Sequence, residues 1–92
     1  MANRPNYPDL IALEKITGSY TVSSVDPGGT KDATIQLDSK YFIVGMPKVS
    51  TSTTGCSVIL INGGKNEFTV RASNGTSTAT DVVVDYEAYA IK

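Results

Sequence analysis

Turn-forming residues recur along this chain at intervals of about eight to twelve positions, and that spacing limits its fold more than any other feature. From Lys15 onward the stretches ITGS, VDPGGTKD, LDSK, TSTTG, INGGKN and SNGT carry Gly, Pro, Asp, Asn or Ser where a chain reverses. The segments between them are short and rich in Val, Ile, Thr, Tyr and Phe, which suit a pleated surface. SYTVSSV, ATIQL, KYFIVG, KVSTST, SVILI, EFTVRAS and DVVVDYEAYAI predict an all-β fold, a small antiparallel β-sandwich of about six strands.

Period-two alternation identifies the core faces. In EFTVRAS, Phe68, Val70 and Ala72 share one side while Glu67, Thr69, Arg71 and Ser73 share the other. The last strand turns Val82, Val84, Tyr86, Ala88 and Ala90 one way, with Tyr86 packed among them, and Val83, Asp85, Glu87, Tyr89 and Ile91 the other way. That second side mixes apolar and acidic groups, as a surface shared with another subunit would. SVILI is apolar at every position after its serine, which predicts a central strand buried on both faces.

Residues 1–14 differ from the remainder. Prolines and asparagines crowd MANRPNYP, and DLIALEKI predicts one or two helical turns with Asp9 as N-cap, so this segment is expected to be an arm on a domain spanning residues 15–92. A chain of 92 residues leaves no room for a second domain, and so small a core is only marginally stabilising, so partners of its own kind are expected. The opening segment has no apolar signal-peptide core and no stretch approaches the roughly 18 residues of a membrane span, which predicts synthesis in a cytosol and no membrane insertion.

Charge and composition narrow the chemistry. Eight Lys and Arg against nine Asp and Glu, with no basic block, argue against nucleic acid as a partner. Without histidine, Ser-His-Asp and Cys-His catalysis are absent, and a single cysteine makes neither an intrachain disulfide nor a zinc site; no enzyme activity, metal or cofactor is expected. Cys56 is expected as a small buried spacer rather than a reactive thiol. INGGKN fails the phosphate-loop spacing, because Asn66 follows Lys65 and Ile59 occupies the first glycine position; Gly63 and Gly64 instead predict a hairpin turn with positive φ. Asp26, Asp32 and Asp38 lack calcium-loop spacing. Asp85 and Glu87 share a strand face at roughly 6.5 to 7 Å, a separation that paired glycosidase carboxylates also use, but nothing else of such a site is visible and a solvated structural face is the better reading. Asn74-Gly75-Thr76 matches a glycosylation acceptor and is expected to be a tight turn.

The order GSYTVSSVDPGGTKDATIQLDSKYF, GMPKV, SVILI, NEFTVRAS, VVVDYEAYAIK resembles the H-type lectin family and its relatives in bacteriophage tail and adhesion proteins. Gly18, the Asp26-Pro27-Gly28 turn, Ile35–Leu37, Pro47–Val49, Phe68 and the Tyr86–Ile91 run carry the likeness over about residues 15–92. The resemblance implies a six-stranded sandwich assembling as a homotrimer, with sugar held in a cleft between subunits. It would place Gly28, Gly29, Thr30 and Asp32 in the first binding loop. The family's arginine on a central strand has no counterpart in SVILI, and its aromatic and imidazole pair falls at Asn74-Gly75-Thr76, which has neither ring. The leading expectation is therefore an oligomeric virion structural protein of a bacteriophage, a tail, fibre or capsid-surface component made in the host cytoplasm, with other virion proteins as partners. The alternative is a lectin or adhesin for host cell-surface polysaccharide. In it Gly28, Thr30, Asp32, Asn74 and Thr76 contact the glycan, and Tyr89 or Tyr86 supplies the ring.

Overall fold

The computed structural model describes residues 13–91. They form six strands: β1 (Glu14–Val25), β2 (Thr30–Gln36), β3 (Phe42–Thr51), β4 (Cys56–Gly63), β5 (Glu67–Asn74) and β6 (Thr80–Ile91). Two antiparallel three-stranded sheets, β1-β6-β3 and β2-β5-β4, make a small β-sandwich. Its two central strands, β6 and β5, carry the cleanest alternation in the sequence. Val82, Val84, Ala88 and Ala90 of β6 and Phe68, Val70 and Ala72 of β5 are all buried, and Val22, Val25, Ile35 and Ile43 from the flanking strands complete the core.

Several turns follow from their residues. Gly29 N–H donates to Asp26 C=O at 2.9 Å with Gly28 at φ 70°, the type II turn that a Pro-Gly centre dictates. Cys56 N–H donates to Thr53 C=O at 3.2 Å with Gly55 at φ 79°, for the same reason. Asp38 accepts from the Lys40 N–H through its side chain, an Asx turn between β2 and β3.

Other expectations are corrected. SVILI belongs to β4, an edge strand, and its residues are not buried on both sides: Ile59 is 54% and Ile61 38% exposed. Two β4 residues span one β5 step between Leu60 and Asn62, so a bulge at Ile61 breaks the alternation. The β4–β5 hairpin exists and Gly64 N–H donates to Glu67 C=O, but positive φ is confined to Gly28, Gly45 and Gly55 among the glycines, so neither Gly63 nor Gly64 supplies it. Asn74-Gly75-Thr76 is the end of β5 and the start of a longer connection to β6, again without positive φ. KYFIVG and KVSTST join in one strand, β3, where the register shift between Val44 and Lys48 accommodates Gly45-Met46-Pro47 as a bulge. Residues 9–12 of the expected helical turns lie outside the described residues. Glu14, Lys15 and Ile16 are strand, paired with Ala90, Tyr89 and Ala88, so the sandwich begins at least one residue before the expected boundary.

ITGS is not a turn either; it runs through the middle of β1. Gly18 is there because Tyr86, its partner across the sheet, folds its ring over it. A Cβ at Gly18 would meet the Tyr86 hydroxyl and lie 2.7 Å from its Cζ. The same Tyr86 ring meets Phe68 of the opposite sheet edge-to-face, with centroids 5.5 Å apart. Gly18→Val is expected to destabilise the domain by about 2 kcal/mol through overpacking. In the Tyr86→Ala background the added cost should shrink, and a double-mutant cycle measured by denaturant unfolding reads that coupling.

A second bulge explains a phase error in β1. Val22 pairs with Val82 and Val25 with Thr80, so three steps of β1 match two of β6 and both valines face the core. Ser24 takes φ 53° and donates its N–H to Asp81 Oδ1 at 2.8 Å.

Candidate functional site

The β1–β2, β3–β4 and β5–β6 connections converge at one end of the sandwich, and Asn74 is where they join. Its side chain lies 2% exposed at the end of the central strand β5. Nδ2 donates to the carbonyls of Val25 and Thr78, each at 2.8 Å. Oδ1 accepts from Thr76 N–H at 2.8 Å and Thr76 Oγ1 at 2.6 Å, with the Cys56 thiol at 3.7 Å. The Asn74 backbone exchanges hydrogen bonds with Gly28 N–H and Gly29 C=O, and Gly75 N–H donates to Gly55 C=O. The amide thus uses both donor hydrogens and its acceptor oxygen inside the fold.

Thr76 is committed in the same way. Its hydroxyl lies 2.9 Å from the Thr78 carbonyl and 3.2 Å from Thr80 Oγ1 besides serving Asn74. Cys56 is half-buried beside this network and free of any disulfide. The connections themselves, DPGG, STTG and GTSTA, contain no aromatic residue on which a sugar ring would stack.

Asp32 stands apart from this knot, on the outer face of β2-β5-β4. There the strands carry polar residues in matching register: Asp32 opposite Arg71, Thr34 opposite Thr69, Gln36 opposite Glu67. Each pair closes a hydrogen bond, with Arg71 gripping Asp32 through two nitrogens at 2.8 and 3.2 Å. The Arg71 hydrogen bond holds the Asp32 carboxyl below the usual carboxylate range, and Asp32 in turn raises the guanidinium. Whatever stability this pair lends is present above the ordinary carboxylate range and is lost as pH falls through the lowered value. Both side chains are nearly half exposed, so salt screens the effect.

Of the sequence-predicted binding residues, Gly28, Thr30, Asn74 and Thr76 are brought to one end of the molecule, Thr30 sitting opposite Ser73 and Gly28 bonded to Asn74. Asp32 follows two residues along β2 from Thr30. Tyr89 is not among them: it lies on the outer face of the other sheet, nine residues along β6 from Thr80, about 30 Å at ordinary strand rise. Arg71 is the residue that sequence reasoning passed over. SVILI carries no arginine, but β5 and not SVILI is the central strand of that sheet, so an arginine does occupy a central strand.

Surface depressions also lie elsewhere among the described residues. One of about 260 Å³ on the outer face of β1-β6-β3 is lined by Lys48, Ser50, Asp85 and Glu87 with the Val49 and Tyr86 positions between them. Glu87 there pairs with Lys15 at 3.6 Å, while Asp85 is exposed. Another, of about 180 Å³, is an apolar groove between the β3 and β4 bulges, beside Met46 and Ile61. Comparison with protein-family models, with curated proteins and with solved structures finds no match.

Proposed function

We propose that this chain is a bacteriophage virion structural protein, an H-type-lectin-like sandwich that works as a homotrimer and exerts its function through assembly with itself and with other virion proteins. One observation carries the reading. The Asn74 and Thr76 side chains that a lectin would offer to sugar are spent on hydrogen bonds within their own connections, while the outer face of β1-β6-β3 leaves Phe42, Val44 and Tyr89 exposed. A surface that offers aromatic and aliphatic side chains to solvent is suited to burial against protein. The order of strand motifs noted in the sequence is what directs the proposal to virion proteins, where small assembled sandwiches of this kind occur.

A second reading rests on the exposed pair that Asp32 of the edge strand β2 makes with Arg71 of the central strand β5. A guanidinium and a carboxylate side by side can direct hydrogen bonds to sugar hydroxyls, the chemistry of a lectin for host polysaccharide. A glycan array covering bacterial surface polysaccharides and galactose-type sugars separates the two. Silence from a folded oligomer is the expected result. Specific binding that disappears in both Asp32→Ala and Arg71→Ala would transfer the function to this pair.

A further inference from the structure

A sheet edge presents a row of backbone N–H and C=O groups to whatever lies beside it, and the edges of this sandwich are not alike. On β2 the core side ends in a charge: Lys31 shares the side of Ala33 and Ile35, and its Nζ donates to Ser23 C=O at 2.7 Å. On β3 the Gly45-Met46-Pro47 bulge interrupts the row, Pro47 has no N–H to offer, and the Ile43 N–H is taken by Lys65 C=O at 2.8 Å. The register shift between Leu60 and Asn62 kinks β4. From Lys15 to Val22, β1 carries no such device. These residues pair step for step with Tyr89 to Val82, so alternate ones direct both N–H and C=O away from β6, and none of those groups has a partner among the described residues. Lys15 lies on the solvent side and is held across the sheet to Glu87 at 3.6 Å, away from the edge.

The core side of β1 is not closed either. Val22 is buried, but on the same side Tyr20 is 42% exposed and Ile16 and Gly18 are half-buried. The Tyr86 hydroxyl, which reaches Gly18, makes no hydrogen bond among the described residues. From this edge we infer that β1 takes an added strand: an extended segment of a different protein pairs its backbone with the free row from Lys15 to Val22 and continues the β1-β6-β3 sheet. Its apolar residues, at every second position, cover Ile16 and Tyr20, and its polar ones stand beside Thr17, Ser19 and Thr21. This rests on the reading that the chain assembles with other virion proteins, and it names the edge and the manner of that contact. A second copy is the poorer occupant. The edges of β2, β3 and β4 are interrupted, so β1 could meet only β1, and that pairing is two-fold where the proposed assembly is three-fold.

The test pans a random library of linear peptides on the intact chain and maps the bound peptides by amide hydrogen exchange. Recovered peptides are expected to alternate apolar and polar residues and to slow exchange within Lys15–Val22. Tyr20→Lys copies onto β1 the core-side lysine of β2, and it is expected to weaken their binding by about tenfold or more while keeping a cooperative melt. Thr34→Lys, on the outer face of the other sheet, should bind them as wild type does. No binder, or binders that protect β2, β3 or β4 instead, overturns the inference. So does equal binding by Tyr20→Lys. Should that variant fail to fold, the exchange map of the wild-type chain decides alone. Light scattering separates this from the assembly reading. A fall in oligomer mass in Tyr20→Lys makes β1 a contact between copies and overturns the added strand; a monomeric wild-type chain overturns the three-fold assembly alone, and the peptide map still decides β1.

Discussion

Asn74→Ala should lower the unfolding free energy by about 4 kcal/mol, because it strands one buried and two part-buried backbone groups at once and empties a fully buried position. The carbonyls of Val25 and Thr78 and the N–H of Thr76 would each lose the partner they have in the native chain. Each such orphan costs about 1 to 3 kcal/mol, and partial relaxation keeps the sum below the maximum. For a domain of this size the loss corresponds to a fall of roughly 20 °C in melting temperature, measured at one fixed protein concentration because self-association of the proposed kind would also raise the melt. Ser77→Ala, on the exposed part of the same connection, is expected to shift the unfolding free energy by less than about 0.5 kcal/mol. The pair of variants distinguishes a knot from a ligand loop: a loop that served only to hold sugar would tolerate Asn74→Ala in the melt and show its loss in binding. Asn74→Asp should be comparably damaging at neutral pH, since a carboxylate would face two carbonyl oxygens where the amide now donates.

Phe68→Ala is expected to cost about 4 kcal/mol. Phe68 is 1% exposed and is the largest side chain in a core otherwise built from valine, isoleucine and alanine. Small neighbours on both sheets cannot swing in to refill the space it leaves, so the transfer loss and the cavity loss add. Phe68→Leu keeps part of the volume but gives up the edge-to-face contact with Tyr86, itself worth about 1 kcal/mol, and should fall between wild type and alanine. Guanidinium unfolding of the three proteins checks the ranking. Equal midpoints for Phe68→Ala and Phe68→Leu would show that the inter-sheet contact is not anchored on this ring.

The fold was legible where alternation is uninterrupted. Phe68, Val70 and Ala72, and Val82 through Ala90, state their faces in the sequence because both strands are central and regular. What escaped was set by bulges and edges. Val25 reaches the core only because Ser23 and Ser24 take up an extra step, and nothing in SSV marks that. The apolar SVILI suggests a strand buried on both faces, but ordinary alternation turns Val58 and Leu60 inward and Ile59 and Ile61 outward, onto a face of β2-β5-β4 that nothing covers. Gly18 and Gly75 resemble turn residues; one answers the Tyr86 ring and the other lies close against Gly55, where an added Cβ would stand 2.8 Å from its carbonyl oxygen.

The candidate site was legible in part. Gly28, Thr30, Asn74 and Thr76 do gather, as the order of loops implied. That Asn74 turns inward was not readable, because the three carbonyl and N–H groups it satisfies come from segments as far apart in sequence as Val25 and Thr78. The partnership of Asp32 with Arg71 likewise depends on the β2–β5 register, which spacing alone does not give.

The measurement that tests the proposed assembly most directly is the molar mass of the intact chain in solution by light scattering. A folded species at three times the 9.7 kDa chain mass, holding together on dilution, is the predicted result. A folded, stable species at the single-chain mass across the same concentrations would contradict it.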